Sequence, residues 1–125
     1  MFPQSTTVIR AMSGFDVNRS KVGAEALAIF LANEVNEDLT TVPGIGPAAA
    51  SKLAEDVEGD QSITTTHQLI GKFLTLKSKG ISQKEHCDAM WFWLQGRKID
   101  AFRAGIVRSV AEKCNIMIPG VYEED

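Results

Sequence analysis

Residues 42–53, VPGIGPAAASKL, are the segment that most constrains the fold of this chain. Gly44 and Gly46 flank an isoleucine, and a glycine can adopt the positive φ angles that a very tight turn requires. Pro47 suits the first position of a helix, and the alanines that follow it favour helix propagation. A glycine turn that leads directly into a helix exposes backbone N–H groups at the positive end of the helix dipole. The segment therefore predicts a site for an anion such as a phosphate.

The same segment resembles the helix-hairpin-helix motif, in which such a turn grips a nucleic-acid phosphate. It matches the order of apolar, glycine and alanine positions in that motif. Mononucleotide-binding loops fit less well, because Ala49 stands where a dinucleotide fingerprint needs a third glycine and the Gly-Lys-Ser/Thr of a Walker loop is absent. A purely architectural hairpin that joins two packed helices is the alternative interpretation.

Hydrophobic periodicity predicts an all-α fold, a compact five-helix single domain that contains the helix-hairpin-helix motif. The expected helices cover residues 20–36, 47–57, 64–77, 82–94 and 100–115. Ser20 is a candidate N-cap for the first helix, which is so apolar that we expect it to be largely buried. Ser82 and Glu85 have the spacing of a capping box, and the threonines at 64–66 offer further N-caps. We expect residues 116–121 to form a non-helical apolar tail that packs back.

Length and composition are those of one domain with a substantial core. The chain has 125 residues, of which 44% are hydrophobic. We divide it into a partly flexible N-terminal extension, a helical helix-hairpin-helix domain and an acidic C-terminal tail, over residues 1–19, 20–118 and 119–125. The sequence shows neither a secretory signal nor an apolar run of membrane-spanning length, so we expect an intracellular protein of the nucleus or cytoplasm with no membrane partner. Cys87 and Cys114 are expected to be reduced, partly buried thiols.

Charge is unevenly distributed along the chain, although the net charge is only −3. Residues 61–113 hold nine lysines and arginines against four acids, whereas the flanking segments are acidic. Phosphate binding draws on lysine and arginine through counterion release. A basic surface for nucleic acid is therefore a hypothesis, and ordinary solvated helix faces are the alternative. Its candidate residues are Lys72, Lys77, Arg103 and Arg108.

The order of motifs resembles the barrier-to-autointegration factor family of small chromatin proteins. Phe30-Leu31-Ala32 ends the first helix, the Gly-Ile-Gly hairpin follows, and the string GKFLTLK begins at Gly71. A helix that ends in Trp93-Leu94 and a final amphipathic helix complete the resemblance, which covers residues 25–116. The resemblance implies a dimer that binds double-stranded DNA without sequence preference, bridges two duplexes and also binds protein partners.

The resemblance also implies which residues would contact DNA. The backbone of Gly44, Ile45, Gly46 and Ala48 would meet a phosphate, and Lys52 matches a basic residue that contacts the DNA backbone. Other basic positions of the family are missing here: Ala26-Leu27-Ala28 replaces those of the first helix, and Ser51 replaces a second lysine. Because each lost phosphate contact removes counterion release, we expect weak, salt-sensitive binding.

Catalysis and metal binding have little support in the sequence. His86, Cys87 and Asp88 are adjacent on a helix, so their side chains point about 100° apart and do not converge on one atom. No cysteine or histidine spacing is that of a zinc site. We therefore expect neither an enzyme nor a cofactor nor a metal.

Phe92 lies opposite the apolar face of its helix, with Trp93 beside that face. An exposed aromatic is common, but aromatics also anchor interfaces, so the two residues predict a dimer or partner patch. Two functions from different classes follow from the sequence. The first is a non-catalytic, sequence-independent DNA-binding domain, and the second is a protein-interaction or scaffold domain that keeps the fold but has lost DNA binding.

Overall fold

Five α-helices form the scaffold of the computed structural model, which describes residues 15–16 and 22–121. They are α1 (Ala24–Ala32), α2 (Pro47–Ala54), α3 (Thr66–Thr75), α4 (Gln83–Gly96) and α5 (Arg103–Met117). A 3₁₀ turn, Leu39–Thr41, precedes the glycine hairpin. No strand occurs in the described part, where Val57 and Asp60 form one isolated β-bridge. The prediction of an all-α single domain of five helices is confirmed.

Helices α3 and α4 begin where the sequence predicts, because side chains cap both. Ser82 Oγ accepts from the Glu85 amide at 3.1 Å, and the Glu85 carboxylate accepts from the Ser82 amide at 3.0 Å. Thr65 and Gln68 make the same reciprocal pair at the start of α3. Each box satisfies two backbone donors that the first helical turn leaves without partners.

Helix α1 is shorter and more exposed than predicted. It begins after Gly23 and ends at Ala32, where Asn33 turns to extended backbone, while the predicted cap Ser20 lies outside the described residues. Only Leu27 and Phe30 are buried in it, and Ile29 is 55% exposed. The expectation of a largely buried helix is wrong because α1 packs chiefly against α5, which covers one side of it.

The other boundaries differ from the predicted ones for identifiable reasons. Helix α2 stops at Ala54 because Glu55 has extended backbone. Helix α5 starts later than predicted because Phe102, just before it, has a left-handed φ of 64°. It also continues to Met117, so the predicted non-helical tail is wrong in its first two residues. Nor does that tail pack back, since the large apolar side chains at 116–118 are all exposed.

Helix α5 is the centre of the core. It packs against α1, α3 and α4, and nine of its residues are buried. The apolar core cluster to which its buried residues belong also includes Phe73 from α3, Met90 and Leu94 from α4, and Val42 and Ile45 from the hairpin. One continuous apolar cluster thus joins the hairpin to the helices.

Most of the predicted terminal segments, 1–19 and 119–125, lies outside the described residues. Phe15 belongs to the part that is described: its backbone N–H donates to Asp88 Oδ1 at 2.8 Å, and its ring packs on the core cluster. The predicted extension is therefore attached to α4 at this point. None of the described helices combines the length and the apolar character needed to cross a membrane.

Candidate nucleic-acid interface

The glycine hairpin is held against the first turn of α5. Val42 and Ile45 are buried, and the Ile45 amide donates to the Val42 carbonyl at 3.0 Å. Gly44 has φ +99°, and a Cβ added there would lie 2.9 Å from Cγ1 of Ile106 and 3.4 Å from Cβ of Phe102. Glycine is therefore required at 44 twice over, for its backbone conformation and for the close approach of α5.

Beyond that turn, α2 begins without a side-chain cap. Gly46 is the N-cap, with φ −100°, and both Gly46 and Ala48 are exposed. The amides of a first helical turn have no acceptor within the helix, and among the described residues no side chain caps this end of α2. They can thus meet an anion at the positive end of the helix dipole. Ile45 differs from its predicted role, since its amide is already bonded to Val42 and its side chain is buried.

Lys52 lies on the α2 side of a groove of about 310 Å³ between the hairpin and the α4–α5 loop. Its Nζ donates to the Lys98 carbonyl at 2.7 Å, so the ammonium group is held at this loop, beside the exposed residue Lys98. Asp100 and Phe102 line the same groove. The Asp100 carboxylate is highly exposed and lies 3.7 Å from Arg103 Nη1, which offsets part of its repulsion of a phosphate that approaches the groove.

The predicted basic surface consists of side chains that already have partners in the fold. Lys72 pairs with Asp60 at 3.2 Å, and Arg108 pairs with Glu112 at 2.8 Å. Lys77 Nζ donates to the Ser78 carbonyl at 3.2 Å. Arg103, which follows Phe102, donates to the Ile99 carbonyl at 2.7 Å, and its guanidinium lies 4.2 Å from the Trp91 ring centre. Of the four candidates, only Arg103 adjoins the hairpin groove in sequence.

Asp60 is the centre of a polar cluster that the sequence analysis missed. It accepts from Trp93 Nε1 at 2.7 Å, from Arg97 Nη1 at 3.3 Å and from Lys72. Burial raises the pKa of Asp60, but the hydrogen bonds from Trp93, the Gln61 amide and Lys72 more than offset it and lower that pKa to about 2. The carboxylate therefore stays ionised and ties the α2–α3 connection to α4.

Arg97 and Lys113 are buried cations that close the C-terminal ends of two helices. Arg97 Nη2 donates to the carbonyl oxygens of Leu53 at 2.8 Å and Glu55 at 3.0 Å, at the end of α2. Lys113 Nζ donates to the Phe30 carbonyl at 2.9 Å and also to those of Leu31 and Asn33, at the end of α1.

Cations suit these positions because the C-terminal carbonyl groups carry the negative end of the helix dipole. A sequence signal exists for Lys113, which lies seven residues after the buried Ile106, on the buried face of α5. Arg97 has no comparable signal, because it follows the last turn of α4.

The predicted patch of Phe92 and Trp93 is divided by the helix. Phe92 is 44% exposed and meets Trp91 edge to face, with ring centres 5.0 Å apart. Trp93 is half-buried, and its indole N–H is committed to Asp60. Phe92 alone therefore remains available as an exposed aromatic on this part of α4.

The His86-Cys87-Asp88 run is a packing feature. His86 is fully buried, stacks on Phe73 with ring centres 3.8 Å apart, and donates from Nε2 to the Phe73 carbonyl at 2.6 Å. Burial is the main cause that lowers the pKa of His86, and it raises the pKa of the Cys87 thiol to about 12 and that of Cys114 to about 11. Both cysteines are thus poor nucleophiles. Over residues 15–16 and 22–121, no three His, Cys, Asp or Glu side chains are grouped so that they could hold a metal.

The resemblance to the barrier-to-autointegration factor family rests on the sequence motifs alone. Neither protein-family models, nor curated proteins, nor solved structures yield a match to this chain.

Proposed function

We propose that this protein is a non-catalytic domain that binds double-stranded DNA without sequence preference, through a phosphate held at the hairpin. The observation that carries the proposal is the exposed, uncapped start of α2 with Lys52 held at the same groove. Backbone N–H groups of Gly46 and Ala48 and the positive end of the α2 dipole favour an anion there. Contacts of this kind fix a protein on the DNA backbone but carry no base information.

Binding of this kind is weak, because few cations accompany the amides. Lys52 and Lys98 are the lysines next to the groove, Asp100 opposes them, and the whole chain is acidic. The helix-hairpin-helix resemblance supports the same interpretation, in which a homodimer would bridge two duplexes. A protein that binds DNA in this way would act in the nucleus or the cytoplasm.

The substitution Gly46→Asp tests the site without unfolding it. Aspartate is a good N-cap, and a Cβ at position 46 meets nothing within 4 Å, so the variant folds at least as well as wild type. Its carboxylate occupies the amides and repels phosphate, so we expect about tenfold weaker binding to a short duplex at low salt. Fluorescence anisotropy of labelled DNA measures the change.

Ser82→Asp is the matched control. Ser82 is an exposed N-cap at the start of α4, away from the residues that line the hairpin groove, and aspartate caps a helix as serine does while it adds the same negative charge. We expect this variant to bind DNA almost as wild type does. Equal losses of DNA affinity in the two variants would show that the phosphate is not bound at the hairpin. A wild type that binds no duplex at low salt would contradict the proposed DNA binding. Lys52→Glu should weaken binding as Gly46→Asp does.

A protein-interaction or scaffold role is the second candidate, and exposed apolar side chains favour it. Ile29 on α1 and Phe92 on α4 are large apolar residues with about half of their surface open. Phe92 is the proposed contact of a homodimer or of a protein partner, because exposed aromatics anchor interfaces. Sedimentation should then show a dimer for wild type and a monomer for Phe92→Glu. A monomeric wild type would contradict the dimer.

A further inference from the structure

Phe102 is an exposed aromatic residue at the edge of the hairpin. It is 49% exposed although it has an apolar ring, and it has the left-handed backbone, φ +64°, that non-glycine residues adopt rarely. Its Cβ lies 3.4 Å from the point where a Gly44 Cβ would stand, so the residue is in contact with the turn. The core does not take up this ring.

Two grooves meet at Phe102, one on each side of the hairpin. The first is the groove of about 310 Å³ that also contains Lys52 and the start of α2. The second, of about 380 Å³, lies between the hairpin and the start of α1, where Val22 and Thr40 line it. Gly44 and Gly46 border both grooves, so the ring and the hairpin amides belong to one surface.

We propose that Phe102 stacks on an unpaired nucleobase of the strand whose phosphate is held at the hairpin. This inference rests on the proposed DNA binding and specifies its substrate: duplex DNA with a bulge, a junction or an unpaired end. In a continuous duplex the base faces are covered by neighbouring pairs, and only the base edges are open in the grooves. A base that has left the stack offers the flat face that an aromatic ring binds, whatever its sequence.

The small number of positive charges beside Phe102 also favours DNA with unpaired bases. The surface beside Phe102 offers few cations, and Asp100 faces the same groove. Counterion release therefore contributes little, and a stacking contact supplies affinity that does not depend on charge. Stacking of one base on an aromatic side chain is worth about 1 to 3 kcal/mol, which corresponds to about 5-fold to 150-fold in affinity.

The test compares two short duplexes that differ only by a central bulge of unpaired thymidines. Both have the same ends, so a difference in affinity reports on the unpaired bases. We expect wild type to bind the bulged duplex at least about 5-fold more tightly than the continuous one. Phe102→Gly should abolish this preference, so that the variant binds the two duplexes with equal affinity, and Phe102→Tyr should keep it.

Controls separate stacking from folding. Glycine accepts φ +64° without strain, so Phe102→Gly relieves the backbone while it removes the ring. Phe92→Ala removes a similarly exposed ring from α4 and should leave the preference unchanged. If wild type binds both duplexes equally, or if Phe102→Gly keeps the preference, the stacking inference is wrong although DNA binding stands. If wild type binds neither duplex, both proposals are wrong.

Discussion

Lys113 and Arg97 show that a cation in a basic segment need not serve a nucleic acid. Both lie in the segment with the most positive charge, and both are at most 5% exposed. Their partners include carbonyl oxygens at the ends of α1 and α2, where several acceptors converge on one donor group. Buried carbonyl groups need such donors, since an unpaired one is costly.

Lys113→Met should destabilise the protein by about 2 kcal/mol, because it leaves the buried carbonyl group of Phe30 and its neighbours without a donor. Urea denaturation measures the loss. Lys84→Met is the control: Lys84 is more than half exposed and pairs with Asp88 four residues on, so its removal should change stability by less than about 0.5 kcal/mol. Equal losses in the two variants would show that Lys113 does not cap α1.

Asp60 gives the fold a defined acid sensitivity. Its pKa is lowered from 3.8 to about 2, so its contribution is complete above 3.8 and disappears as the pH falls toward 2. We expect this carboxylate to contribute about 1 to 2 kcal/mol at neutral pH. Asp60→Asn should be less stable than wild type near neutrality, and the two should converge in acid. Denaturation at a series of pH values tests this, and a constant gap between the two proteins would contradict it.

At the scale of elements, the hairpin and α5 form one unit through Gly44. Gly44→Ala meets Ile106 at 2.9 Å and forces a side chain onto φ +99°, so we expect a loss of about 2 kcal/mol or more. Gly46→Ala, with φ −100° and open space, should lose less than about 1 kcal/mol. Thermal unfolding of the two variants provides the comparison. Similar melting temperatures would mean that the turn is not fixed by its contact with α5.

The sequence correctly predicts those helices whose N-termini carry a signal in the neighbouring residues. The capping boxes of α3 and α4 and the proline at the start of α2 are short-range signals, and the structure places those helices accordingly. The prediction that α1 is largely buried failed because hydrophobicity indicates which residues could be buried but not which neighbour covers them. Helix α5 packs on one side of α1, where Leu27 and Phe30 are buried. The left-handed Phe102 and the Asp60 cluster depend on contacts distant in sequence, which no periodicity encodes.

The net charge of the whole molecule is negative, and this affects how strongly its binding to DNA would depend on salt. Beside the hairpin groove stand two lysines, Lys52 and Lys98. If each meets one phosphate, the logarithm of the binding constant should fall with the logarithm of salt concentration with a slope of about −2. Titrations at several salt concentrations measure it. A slope several times steeper would mean that the cations on other helices also reach the DNA, and that the groove is only part of the interface.

The buried caps also fix an order in which the fold can be completed. Lys113 terminates a helix whose carbonyl groups lie more than eighty residues earlier, and Arg97 reaches back more than forty. During synthesis, α1 and α2 therefore emerge from the ribosome before the cations that finish them exist. A chain that stops before α5 lacks both the central helix of the core and the end of the first one. The native contacts of α1 can therefore be completed only after the last helix has been synthesised.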